Sequence, residues 1–363
     1  MYTLLTFLQA AFAAPGQGAA PAPAYLVWVA SEATDRLALV RFSPAAGTAR
    51  VERELTIGVL PADPDGPHGL ALSPDGRFLY ITTAHGQPFG YLWKLDAVSG
   101  RVLGRVELGY FPATLEVTPD GAFAFVVNFN LHGDMVPSSV SVVATDEVVE
   151  VARIPTCTMP HGSRIAPRGD RQYSACMMDD EVVEIDTRTF AVSRRLSVGT
   201  EGEHTAHRAP PTAHSVTCSP TWAQPGADGS RIYVACTKSN EILEIDRDAW
   251  TVVRRFPAGD GVYNLAVTRD GRLLVATNKR GQSVSVFDLA AGREVARIPT
   301  RRRVVHGVAI SPDDRYAFVS VEGIGSQPGT VEVIDLRTRT VVAAADVGQM
   351  AGGIDFWKID GGS

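Results

Sequence analysis

The stretch from Gly69 to Thr83, "GLALSPDGRFLYITT", sets apolar residues at alternate positions, breaks on a Ser-Pro-Asp-Gly turn and resumes with a second apolar run. A period of two argues for a half-buried strand, and two such runs around a turn argue for a β-hairpin. The phrase recurs as "ATLEVTPDGAFAFVVN", "HGSRIAPRGDRQYSAC", "HSVTCSPTWAQPGADGSRIYVAC", "YNLAVTRDGRLLVATN" and "HGVAISPDDRYAFVSV". Two more short strands follow in each copy, as in "EILEIDRD" then "TVVRRFPAG", so each unit holds four strands.

Self-similarity at a period of about 40 to 50 residues is the sequence signature of propeller blades. The N-terminal part supplies "YLVWVAS", "LALVRF" and "RVERELTIG" without a first strand, and the C-terminal part supplies a lone "GGIDFWKI". Together they complete one unit. The pattern therefore predicts an all-β, seven-bladed β-propeller of four-stranded antiparallel blades over residues 24–360. Pairing of the C-terminal strand with the N-terminal three closes it and removes free sheet edges.

The strand ends "YITT", "YVAC" and "VATN", followed by strands such as "SVSVFD", resemble the YVTN-type β-propeller repeats of exported bacterial proteins. The resemblance implies the fold. It does not choose a function, because such propellers serve as lactonases, ligand binders, surface proteins and electron-transfer scaffolds.

Residues 1–23 read as a signal peptide and linker, with an apolar stretch from Leu4 to Ala14 followed by small residues, Pro and Gly, although no Lys or Arg precedes the stretch. This stretch is too short to span a bilayer, and nothing later is long and apolar enough. The expectation is a soluble, monomeric protein of the periplasm or the exterior with no membrane span. A net charge of −6 argues against a nucleic-acid surface, which needs a concentrated basic face. The run Arg301 to Arg303 reads as a solvated loop. With no CxxCH motif, no covalently attached haem is expected.

In a propeller the first strand of each blade lines the central channel, so its opening residue stands at one mouth. Counting six residues back from the turn proline, or its equivalent, gives His68, Ala113, His161, His214, Tyr263 and His306, with Gly352 in the remaining blade. Copying of the unit explains the position but not the imidazole. Four histidines converging on one axis point to a transition-metal site, for which His68, His161, His214 and His306 are the expected ligands.

The loops joining second to third strands open at the same mouth. They bring His85, His132, Met135, Cys176, Met177 and Met178 there, while the longer connection "TEGEHTAHRAPPTAH" adds His204 and His207, and Cys157 and Met159 precede His161. Tyr263 is a further ligand or a neighbouring donor. Imidazole with sulfur in an exported protein favours copper over magnesium or calcium, which take oxygen ligands. The methionines also fit a packing role. Cys176 has a competing reading, a disulfide with Cys157 beside it in the hairpin. Cys236 holds the equivalent place in the next blade, too far to pair with Cys176, and Cys218 reads as a buried thiol.

The ring is similar in position to the histidine-built copper sites of nitrous oxide reductase and copper-oxidase propellers, without their histidine-pair motifs, so no catalytic residue is carried over. Whether the chain is an enzyme stays open; if it is, a copper-dependent oxidoreductase is favoured. The alternatives are a non-catalytic propeller that takes a small molecule or another exported protein as partner, and a lactonase-like hydrolase with Glu322, Asn128 and Asn278 over the channel.

Overall fold

A computed structural model describes residues 22–59, 64–85, 89–199 and 216–361. Most of the expected leader over residues 1–23 lies outside them. Twenty-eight strands, β1 (Ala24–Ser31) to β28 (Ala351–Asp360), make up the described part with one short 3-10 turn, Glu32–Thr34. No helix among the described residues is long and apolar enough to cross a membrane.

The hairpin turns follow from local chemistry. At Ser73-Pro74-Asp75-Gly76, the Ser73 hydroxyl donates to Asp75 Oδ1 at 2.6 Å, and the same carboxylate oxygen accepts the Arg77 amide. Gly76 takes a φ of +69°, which glycine adopts without a Cβ clash. Thr118 with Asp120, Thr268 with Asp270 and Ser311 with Asp313 repeat the device.

Strands β4 to β7 (residues 67–107), β8 to β11 (112–158), β20 to β23 (262–299) and β24 to β27 (305–347) form four separate antiparallel sheets. A fifth has the order β28-β1-β2-β3, with β2 Arg36–Ser43 and β3 Thr48–Thr56, so the C-terminal strand pairs with the N-terminal three. Middle strands are buried on both faces, whereas an outermost strand such as β3 alternates exposed and half-buried residues. The core is a set of clusters between neighbouring units. One of them packs Tyr25 and Phe42 of the N-terminal strands against Tyr316 and Phe318, with ring centroids 4.9 Å apart for Tyr25 and Tyr316.

The expectation of seven separate blades is corrected here. Strands β12 to β15 (160–197) and β16 to β19 (220–257) form one continuous eight-stranded sheet beside the five four-stranded ones. The join is a parallel pairing of Gly162 with Trp222. It depends on the missing side chain at Gly162, where a Cβ would lie 2.4 Å from the Thr221 carbonyl oxygen and 2.3 Å from the Trp222 ring.

Strand β16 also begins later than its sequence phrase suggested. It spans Pro220–Pro225, so Thr221, not His214, takes the place that His161 holds in β12 (Pro160–Ile165). His214 lies outside the described residues. The same shift moves Cys218 from the strand to the turn before it, where it is no free thiol: it forms a disulfide with Cys236 at the end of β17 (Arg231–Cys236). One unit earlier, Cys157 and Cys176 are joined in the same way.

Candidate functional site

The first strands of the units, β4 (Pro67–Leu72), β8 (Pro112–Val117), β12, β16, β20 (Val262–Val267), β24 (Val305–Ile310) and β28, follow one another around a common axis. Their mouth residues are His68, Ala113, His161, Thr221, Tyr263, His306 and Gly352. Each of these strands breaks register with its neighbour at the mouth, for example between Pro67 and Leu70 and between Val305 and Val308. A bulge of this kind frees a side chain from the ladder and re-aims it.

The turn entering each strand is fixed as well. Two residues before the mouth the backbone is left-handed throughout, at Gly66, Phe111, Met159, Ser219, Gly261, Val304 and Met350. The carbonyl of each accepts the amide of the residue following a second strand, such as Glu32, Phe129, Lys279 and Glu322, at 2.8 to 3.2 Å. For Val304, a β-branched residue at φ 67°, the conformation is costly and persists only because the surroundings impose it. These contacts set two tiers at one mouth, the ring residues and the residues that follow the second strands.

Three of the four expected histidines are described, and the structure brings them together. The His68 ring lies 5.6 Å from His306 and 6.4 Å from His161, centroid to centroid, and Tyr263 lies 5.3 Å from His161 and 5.0 Å from His306. Glu32 Oε2 is 2.9 Å from His68 Nδ1. A carboxylate only accepts, so Nδ1 donates, and the ring's second nitrogen is Nε2. That nitrogen is buried without a partner. His161 Nδ1 donates to the Thr221 carbonyl at 2.9 Å, and its Nε2 accepts the Tyr263 hydroxyl at 3.0 Å. Nδ1 of His306 is buried and unpartnered, and its Nε2 stands 3.8 Å from Glu322 Oε1, beyond hydrogen-bond reach.

Burial governs the electrostatics. It lowers the His161 pKa to about 3 and holds His306 well below the usual histidine range, with the Lys279 charge adding to both. Both rings are therefore neutral near pH 7, the form that binds metals. Burial works against ionised Glu32, yet the His68 and His85 imidazoles outweigh it and keep that carboxyl well below its normal range. Lys279 stays charged despite burial because Tyr263 and Glu322 favour the cation. Its Nζ is 2.9 Å from Glu322 Oε1 and 4.4 Å above the Tyr263 ring centroid. Tyr263 is pushed up by burial and remains a phenol.

The other expected ligands divide. His85 donates from Nε2 to Glu32 Oε1, and His132 Nε2 stands 3.3 Å from His85 Nδ1, so both join the edge of the cluster without reaching the axis. His204 and His207 lie outside the described residues. Cys176 is held in its disulfide and offers no thiolate. Met159, Met177 and Met178 pack with Phe111 and Phe129, and Met135 is exposed. Asn128 and Asn278 are fully buried and donate to serine hydroxyls of their own units, while Glu322 is paired with Lys279.

Sequence reasoning missed Glu32, Lys279 and the aromatic wall of Phe111 and Phe129. The signal was present, because the residue after each second strand is the second tier of the mouth. Among the described residues, no three His, Cys, Asp or Glu side chains stand close enough to hold a metal ion as placed.

No family model matches the sequence, and no curated protein matches it. Solved structures do. A chain of hydrazine synthase from Kuenenia stuttgartiensis is 22% identical, covering 79% of this chain and 88% of that one, with a TM-score of 0.62. A functionally unknown protein from Desulfotomaculum acetoxidans is 17% identical, covering 93% of this chain and all of that one (100%), with a TM-score of 0.69. At these identities the likeness is one of fold, the β-propeller.

Proposed function

We propose that this β-propeller is an exported protein that holds one first-row transition-metal ion, copper(II) by preference, at the histidine mouth of its channel. The observation that carries the reading is the pair of buried, unpartnered imidazole nitrogens, His68 Nε2 and His306 Nδ1. Buried polar atoms are nearly always satisfied, so two orphans on one axis call for a partner. The Glu32 contact to His68 Nδ1 supports it, since metal-binding histidines commonly donate their second nitrogen to a carboxylate.

A ligand nitrogen sits about 2.0 to 2.1 Å from its ion, which places ring centroids on one ion about 6 Å apart or less. His68 and His306 fall within that span at 5.6 Å, and His161 has to release Tyr263 and move in to become the third ligand. With the described cysteines in disulfides and the nearby methionines packed on aromatics, the donors are nitrogen and oxygen. Such a set suits Cu(II), Ni(II) and Zn(II), among which copper binds tightest in the general order of affinities. The two disulfides, the YVTN-type repeats and the signal-like N-terminus support an oxidising compartment. Gly352 and Ala113 leave the ring open to a small exchangeable molecule.

Copper loading followed by desalting and metal analysis tests the reading. One copper per chain is expected, with nitrogen coupling in its electron paramagnetic resonance spectrum. The His68→Ala/His306→Ala double variant should lose both while keeping its circular dichroism spectrum. A parent that retains no stoichiometric copper, or a double variant that retains it as tightly, would end the proposal.

A further inference from the structure

Three residues along each first strand from the histidine ring lies a second ring that the metal reading does not use. Its polar members are Glu116, Arg164, Gln224 and Asp355, and the remaining strands contribute Ala71, Ala266 and Ala309. All of them line one cavity of about 190 Å³ at the opposite end of the first strands, and a wider space of about 480 Å³ shares Glu116, Gln224 and Asp355 with it.

The charges here are unequally partnered. Glu116 Oε2 accepts the Ile165 amide, and Asp355 accepts the Leu72 amide at 2.9 Å and the Phe356 amide at 2.8 Å. Arg164 is committed elsewhere: its guanidinium lies 4.5 Å above the Trp222 ring, and Nη1 donates to the Ser163 carbonyl at 2.9 Å. It acts on the two carboxyls through its field alone, without a hydrogen bond to either. Gln224 spends its amide nitrogen on the Pro225 carbonyl at 3.0 Å, which leaves Oε1 as an acceptor. The cavity thus offers acceptors on Glu116, Asp355 and Gln224 opposite small apolar walls.

We propose that this mouth binds the ammonium head of a small primary alkylamine, with the N–H groups taken by Glu116, Asp355 and Gln224 Oε1 and the alkyl chain against Ala266 and Ala309. A primary ammonium has three donors and one positive charge, which matches three acceptors and a surplus carboxylate. Burial supports this independently, since it raises Glu116 to about 7 and Asp355 above its usual value, a cost that an incoming cation relieves. The site is separate from the metal reading and stands without it.

The test is a titration of the full chain with propylammonium, followed by calorimetry and ligand-observed NMR at pH 8. Saturable binding at one site per chain is expected, weaker by about tenfold or more in Glu116→Gln and in Asp355→Asn, because each removes a charge-assisted hydrogen bond. Ala266→Leu, which fills the apolar wall and leaves every charge in place, should also abolish it. Tetramethylammonium, with no N–H, should compete poorly. Equal binding of tetramethylammonium, displacement by millimolar calcium, or unchanged affinity in folded Glu116→Gln and Ala266→Leu would overturn the proposal.

Discussion

The two ends of the channel are built from the same strands, three residues apart, yet one carries bases and the other acids. Loss of water drives them in opposite directions on the pKa scale: His161 falls to about 3 and Glu116 rises to about 7. The result is the same in charge, since burial pushes each group toward its neutral form. Where a charge survives, it has a built partner, as with Glu32 between His68 and His85, or Lys279 on Glu322. The histidine mouth has such partners from its second tier, and the carboxylate mouth has backbone amides instead.

The largest break of this comparison is truncation after Met350. It removes Gly352 from one ring and Asp355 from the other, and it exposes the edge of β1. An unpaired edge invites association, so size-exclusion chromatography should show aggregate in place of the parent peak. A soluble truncation with the parent melting temperature would mean that β28 contributes nothing to either mouth.

A smaller effect isolates the histidine end. Gly69 follows His68, and a Cβ there would lie 1.9 Å from the Ala113 carbonyl oxygen, a backbone atom that cannot swing away. Gly69→Ala should destabilise the fold by about 3 kcal/mol in chemical denaturation. Loss of less than about 1 kcal/mol would show that neighbouring first strands are not held as closely as described.

The smallest effect sharpens the acid end. Glu116 has its folded pKa raised to about 7 by burial, against an ordinary value of about 4.3 in an unfolded chain. A raised folded pKa contributes stability that is complete below about 4.3 and is lost as pH rises through about 7. Between pH 5 and pH 8 this contribution should therefore be lost, so Glu116→Gln should differ from the parent across that range by a melting-temperature shift on the order of 2 °C. His161 and His306, lowered by burial, act in the opposite sense in both proteins alike. Parallel pH profiles for parent and variant would remove Glu116 from the account.

Strands and hairpins were legible because a period of two and a Pro-Asp-Gly turn are local signals. The ring at His68, His161, Tyr263 and His306 followed from counting along them. At "HSVTCSP" the count slipped, because a Ser-Pro six places after His214 imitates "HGVAISP". The real turn is "PGADGS", and Cys218 was misread through the same slip. Joining of two units into one sheet was not legible, since it rests on the approach of Gly162 to Trp222 across the fold. Glu32 and Lys279 were missed because their kinship is positional, not chemical: each follows a second strand, and the residues at that place share no side-chain type.

Hydroxyls of neighbouring units hold the mouth carbonyls: Thr82 reaches Ala113, Thr114 reaches His161, Thr221 reaches Tyr263, Thr277 reaches His306 and Ser320 reaches Gly352, at 2.5 to 2.9 Å. What is gripped is main chain, which every amino acid carries alike. The scaffold is therefore indifferent to which residue it displays at these five places, and a histidine, a phenol, a methyl group or nothing all occupy them. Such a socket lets lineages, or a designer with a randomised library at these positions, rewrite the ligand while leaving the architecture alone.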